Sequence, residues 1–160
     1  MVAALRNSAH GDTVSQMAVV AAGAPAALVE ALGGLVGSAK VQEEGCAALG
    51  NLAGAGHEHT LRALCDAGAI EAVSKAMRAH PSDAGVQAKA CGAVGNLAAF
   101  DAETQHRLVE AGCAELVVLA MRAHKAARDG GKAALANLAW GVPALKEAVL
   151  NAGADPAWLE

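Results

Sequence analysis

Thirteen residues, VQEEGCAALGNLA at Val41–Ala53, return 45 positions later as VQAKACGAVGNLA at Val86–Ala98, with eight positions identical. A weaker copy, GKAALANLA, spans Gly131–Ala139, and a remnant, ALRNSA, spans Ala4–Ala9. The asparagines Asn7, Asn51, Asn96 and Asn137 stand 44, 45 and 41 residues apart. A period of this size means stacked supersecondary units, none of which buries its apolar face alone.

A second mark recurs out of phase with the first. Gly23, Gly68, Gly112 and Gly153 each sit in an Ala-Gly-Ala/Cys setting, 16 or 17 residues after an asparagine. Glycine after a run of helix formers reads as a left-handed helix C-cap. Two such punctuations per unit predict three helices: Asp12–Ala22, Ala24–Val36 and Ser38–Ala53; Glu58–Ala67, Ala69–His80 and Asp83–Ala98; Asp101–Ala111, Cys113–His124 and Ala126–Trp140. Ser82 or Asp83 is expected to cap the sixth helix, and Pro25 suits the first turn of the second. Gly130-Gly131 reads as a shortened linker that accounts for the 41-residue step.

Apolar columns align across the units. Four residues before the glycine stand Val19, Leu64, Leu108 and Val149; five after it, Leu28, Val73, Val117 and Trp158; nine after it, Leu32, Met77 and Met121. In the third helices Val41, Cys46, Leu49 and Leu52 match Val86, Cys91, Val94 and Leu97. These steps keep one side of each helix apolar. With no Tyr, one Phe and two Trp in a chain that is 54% hydrophobic, the core has to be thin and the helices closely spaced.

Three-helix units with a glycine after the first helix and an asparagine late in the third resemble the armadillo repeat. AGAIEAV at Ala67–Val73 and VQAKACGAVGNLA carry the likeness, and the wording is similar to armadillo regions of leucine-rich-repeat-kinase-like and uncharacterised protist and algal proteins. The resemblance implies an all-α, right-handed superhelical solenoid over 1–160. Its parts are a partial repeat at 1–9, repeats at 10–54, 55–99 and 100–140, and a partial repeat at 141–160. It also implies a non-catalytic scaffold for a protein or peptide partner, whose extended segment lies along a concave third-helix face. In the family the late asparagine bonds the partner's backbone, a role that falls here on Asn7, Asn51, Asn96 and Asn137. Glu44 and Lys89, about two turns before the asparagine, set local charge. A late-helix asparagine can equally satisfy neighbouring backbone, and both roles stay open. Importin-type members carry a tryptophan four residues before the asparagine. Those positions here are Ala3, Ala47, Gly92 and Ala133, so the aromatic shelf is missing.

Other functions find little support. A net charge of −4 with scattered signs gives no basic footprint for nucleic acid. The apolar run Met17–Val36 is interrupted at Gly23-Ala24-Pro25 and predicts two helices, not a membrane span. Cys46, Cys65, Cys91 and Cys113 have no CxxC spacing, and residues on neighbouring helices about 8–10 Å apart are poorly placed to pair, so reduced thiols and a cytoplasmic or nuclear location are expected. No G-x-S-x-G or phosphate-loop pattern occurs. His57 and His59 sit in a loop, His10 and His106 stand apart, and His80 and His124 end two AMRAH copies. The last pair reads as helix-end electrostatics, not metal ligation, and no cofactor is expected. Neither end reads as a polar cap. A piece of a longer array, a regulatory segment of a larger kinase-like enzyme, and end-to-end self-association through uncapped ends are the remaining readings.

Overall fold

The computed structural model describes Val2 and residues 13–159. Among these residues ten α-helices and no strand occur: α1 (Thr13–Ala21), α2 (Ala24–Gly34), α3 (Ala39–Gly54), α4 (Glu58–Asp66), α5 (Ala69–Ala79), α6 (Ala84–Ala98), α7 (Ala102–Glu110), α8 (Cys113–Ala123), α9 (Arg128–Ala139) and α10 (Pro143–Asn151). Short 3₁₀ turns stand at Lys125–Ala127 and Pro156–Trp158. The triplets α1–α3, α4–α6 and α7–α9 are three repeats of one unit, and α10 opens a fourth. The partial repeat at 1–9, with Asn7, and His10 lie outside the described residues, Val2 excepted.

The punctuating glycines act as expected. Gly23, Gly68, Gly112 and Gly153 have φ of 85°, 87°, 76° and 93°, a left-handed conformation that costs glycine little. Each donates its N–H three residues back, to Val20, Cys65, Val109 and Leu150. In the first three units the glycine carbonyl then starts the next helix, accepting from Ala27, Ala72 and Leu116. At Gly23 the two apolar helices meet at 65°, and among the described residues no single helix is long and apolar enough to cross a membrane.

Side-chain caps start the third helices: Ser38 accepts from Val41 N and Asp83 from Val86 N. α9 has no such cap and is entered through the 3₁₀ turn instead. The 41-residue step is therefore taken up between His124 and Arg128. Gly130 and Gly131 lie inside α9, not in a linker, which corrects the sequence reading. Both mark close packing: a β-carbon on Gly130 would lie 3.2 Å from Gly92 N, and one on Gly131 would collide with the Met121 side chain.

The core is one continuous stack. Third helices pack on third helices, α3 on α6 and α6 on α9. Leu28, Leu64, Leu108, Val73, Val117, Met77 and Met121 are buried, as the column alignment requires. In α1 the register differs: Val20 is buried and Val19 only half-buried. Trp158 is half-buried against the same core.

Candidate functional site: the third-helix face

Each third helix leaves one stripe uncovered. On α6 it runs Lys89, Gly92, Asn96 and then Ala99; on α3, Glu44, Ala47 and Asn51 are half-buried; on α9, Ala133 and Asn137 follow the same track. Steps of three and four keep such residues on one side of a helix. Side by side, the stripes form three rows: a small-residue floor (Ala47, Gly92, Ala133), an asparagine row (Asn51, Asn96, Asn137), and a charged row of Glu44 and Lys89.

The asparagine row is tied into the fold. Asn96 Nδ2 donates to Gly50 O at 2.8 Å, and Asn137 Nδ2 donates to Gly95 O at 2.9 Å. The glycine before Asn51 or Asn96 thus accepts from the asparagine of the following unit. It also lets the helices meet: a β-carbon on Gly50 would lie 3.4 Å from Ala93 Cα, and one on Gly95 would lie 3.3 Å from Ala134 N. Gly54, one turn beyond Gly50, makes room for the Asn96 amide. One N–H of each amide is engaged in this way, and an amide keeps a second N–H and a carbonyl oxygen for a further partner.

The two charges differ in character. The Glu44 side chain is only 13% exposed and pairs with Lys40 at 3.6 Å. Lys89 is exposed.

Two clefts follow one another at the C-terminal ends of the third helices. The smaller, about 190 Å³, is lined by Asn96, Leu61, Gly54, Ala99 and Phe100. The larger, about 490 Å³, is lined by Asn137, Gln105, Asp101, Phe100, Trp140 and Val142. Gln105 Nε2 fixes the second one by donating to Asn137 O at 2.7 Å and Trp140 O at 3.3 Å. Trp140 is 78% exposed. Two of the chain's three aromatic residues therefore line one cleft. Sequence reasoning did not single out Phe100 and Trp140. Their signal was scarcity together with position, four and three residues beyond an asparagine respectively.

Sequence reasoning also missed the inter-helix clamps. Gln87 Nε2 donates to Met77 O and His80 O, both at 2.9 Å, and Gln42 Nε2 donates to Leu32 O and Leu35 O. Arg128 takes the same place in the third unit, on Met121 O. These side chains satisfy the carbonyls left over at each second-helix C-terminus.

The AMRAH motif, whose Arg78 and Arg122 stand in the last turns of α5 and α8, also clips neighbouring units together. Arg78 reaches forward to Ala111 O at 2.6 Å, and Arg122 to Gly153 O at 2.9 Å. His80 Nε2 bonds back to Val36 O at 2.6 Å, and His124 Nε2 to Pro81 O at 2.8 Å. Among the described residues no three His, Cys, Asp or Glu side chains converge as a metal site would require.

All four cysteines are free and buried. Burial pushes the Cys46, Cys91 and Cys113 thiols up to about 12, which keeps them neutral and poorly nucleophilic. Burial also raises Cys65, opposed by its hydrogen bond with Thr104 and by the Arg107 charge.

This helix-triplet geometry is shared with solved structures. An engineered protein is similar at a TM-score of 0.85 and 28% identity, over 99% of this chain and 68% of that one. A designed armadillo repeat protein in complex with the peptide (KR)4 matches at a TM-score of 0.83 and 26% identity, over 95% of this chain and 62% of that one. This is an armadillo-type repeat fold. Computationally designed armadillo repeat proteins for modular peptide recognition match as well, at a TM-score of 0.81 and 28% identity. The chain spans 62% to 68% of the length of these structures. No family model matches the chain, and neither does any curated protein.

Proposed function

We propose that the third-helix face binds an extended segment of a protein partner, and that the chain works as a non-catalytic scaffold. The observation that carries this reading is the pair of consecutive clefts, each holding one ladder asparagine, the larger walled by Phe100 and Trp140. Neighbouring helices stand about 8–10 Å apart, and an extended chain rises about 3.3 Å per residue, so successive asparagines meet every second or third residue of a strand. A floor of Ala47, Gly92 and Ala133 lets a backbone approach. The remaining donor and acceptor of each amide match one peptide group.

The occupant differs from a repeated basic peptide. Lys89 stands where Glu44 stands one unit earlier, and Gly130 follows in the third. A segment of mixed or neutral charge, with an apolar or aromatic side chain for the Phe100–Trp140 cleft, fits better. A stacked aromatic pair there contributes about 0.5–1.5 kcal/mol beyond burial. Four free thiols fit a reducing compartment, the cytoplasm or nucleus.

Random twelve-residue peptides displayed on phage and selected on the folded chain test this proposal. Enriched peptides are expected to share an apolar or aromatic residue and to lose binding to Trp140→Ala and Asn137→Ala chains. Peptides that bind those variants unchanged place the site elsewhere and refute the assignment.

A further inference from the structure

At two of the three junctions between units an arginine fills the same place beside the punctuating glycine. At the second junction, the position of a β-carbon on Gly112 lies 2.9 Å from Arg78 Nη2 and 3.8 Å from Glu115 Oε2. At the third, the same position on Gly153 lies 3.3 Å from Arg122 Nη2 and 3.9 Å from Val118 Cγ1. At the first, the position on Gly68 lies 3.7 Å from Glu71 Oε2 and 3.9 Å from Val29 Cγ1. The carboxylate and the valine wall recur to within about 0.1 Å, with no nitrogen between them. The residue aligned with Arg78 and Arg122 is Gly33, and a β-carbon there would meet nothing within 4 Å.

The gap is a cleft of about 360 Å³ between α2 and α5, lined chiefly by apolar surface of Val29, Leu32 and Ala72, with Glu71 and Lys75 at its edge. Arg107 pairs with Glu71 Oε1 at 3.5 Å, and it is Oε2 that lies nearest Gly68. Ala67, aligned with the Ala111 that accepts from Arg78, ends α4, where leftover carbonyls carry the negative end of the helix dipole. Among the described residues no side chain occupies the place of the guanidinium.

We propose that this cleft is an arginine site: it takes the guanidinium of an arginine side chain offered by a protein partner, in the place that Arg78 and Arg122 fill at the other two junctions. The apolar wall covers the methylene stem, and the acceptors at the end of α4, with the Glu71 carboxylate, receive the planar donors. Guanidinium suits this better than ammonium because its donors are spread over a plane and it is less strongly hydrated. Two cations oppose the ligand: exposed Lys75, and Arg107, which holds Glu71 Oε1 and donates to Cys65 O at 3.4 Å, leaving Glu71 Oε2 and the Ala67 end of α4 for the incoming guanidinium. The site lies between two second helices and the end of the first helix α4, and it uses none of Asn51, Asn96, Asn137, Phe100 or Trp140.

Agmatine, an arginine side chain without its backbone, is the probe. Titrated into the ¹⁵N-labelled chain, it is expected to shift the Gly68 and Glu71 amides with half-saturation at about 1–10 mM, the range of one charge-assisted contact. Cadaverine, a diamine without guanidinium, is expected to bind at least several-fold more weakly. Glu71→Gln is expected to weaken agmatine about tenfold, and Lys75→Ala to tighten it. A ligand-free readout accompanies these. Gly33→Arg and Gly33→Gln have similar helix propensity, yet Gly33→Arg alone supplies the guanidinium. It is expected to melt higher than Gly33→Gln and to abolish the agmatine shifts. Equal melting temperatures, agmatine shifts that persist in Gly33→Arg, or no shifts in the parent chain overturn the proposal. Unfolding of Gly33→Arg while Gly33→Gln folds also overturns it, because the gap then has no room for an arginine.

Discussion

Two glycines three residues apart on α6 should respond to the same substitution with opposite signs. Gly92 and Gly95 both sit in helix interior, where alanine is favoured by about 1 kcal/mol. A β-carbon on Gly92 meets nothing within 4 Å. One on Gly95 lies 3.3 Å from Ala134 N and 3.4 Å from Ala134 Cα, against the backbone of α9, which cannot rotate away. Separating α6 from α9 also stretches the 2.9 Å bond from Asn137 Nδ2 to Gly95 O. Overpacking of this kind costs about 1–3 kcal/mol. Gly92→Ala should therefore stabilise by about 1 kcal/mol and Gly95→Ala destabilise by about 1 kcal/mol, a difference of about 2 kcal/mol. For a chain of this length that difference is about 6 °C in midpoint. Calorimetry and urea unfolding of the two variants measure it. A Gly95→Ala chain that gains as much as Gly92→Ala refutes the close approach of the third helices.

Gln87 is 3% exposed, and Gln87→Ala strips donors from Met77 O and His80 O, so a loss of about 2–3 kcal/mol is expected in urea unfolding. Asn96→Ala removes one bond at a solvent-facing position and should cost only about 1 kcal/mol. The three thiols near 12 favour the folded state fully below their unfolded value near 9, and that contribution fades as pH rises toward 12. At pH 10 the loss summed over three sites is about 4 kcal/mol. A chain with Ala at Cys46, Cys91 and Cys113 should show a flatter alkaline limb. For the same reason an aromatic disulfide reagent should label Cys46, Cys91 and Cys113 only after unfolding.

The armadillo frame was legible because its signals are local. A glycine after a helix-forming run, a proline in a first turn and an apolar column repeated at one spacing each act within a single unit. What stayed hidden depends on contact between units. The Arg and His of AMRAH follow each other closely in sequence, yet one bonds forward to the next unit and the other back to the previous one. Gly130-Gly131 looked like a linker because glycine breaks helices in isolation; against Gly92 and Met121 it is the residue that fits. Val19 and Val20 are adjacent and equally apolar, and only the packing of α1 chooses between them. At the candidate site the asparagine row was visible as a period. Its bonds to Gly50 and Gly95 required knowing which helices stack, and the Phe100–Trp140 cleft required knowing where two third helices end.

On the proposed reading, partner segments run along the third-helix face into the Phe100–Trp140 cleft. The most direct measurement follows the Trp140 indole and the Asn96 and Asn137 side-chain amides in ¹H–¹⁵N spectra while a phage-selected peptide is added. Joint, saturable shifts of all three signals with a single dissociation constant are the expected result. A peptide that binds the folded chain and leaves these three signals unmoved contradicts the account.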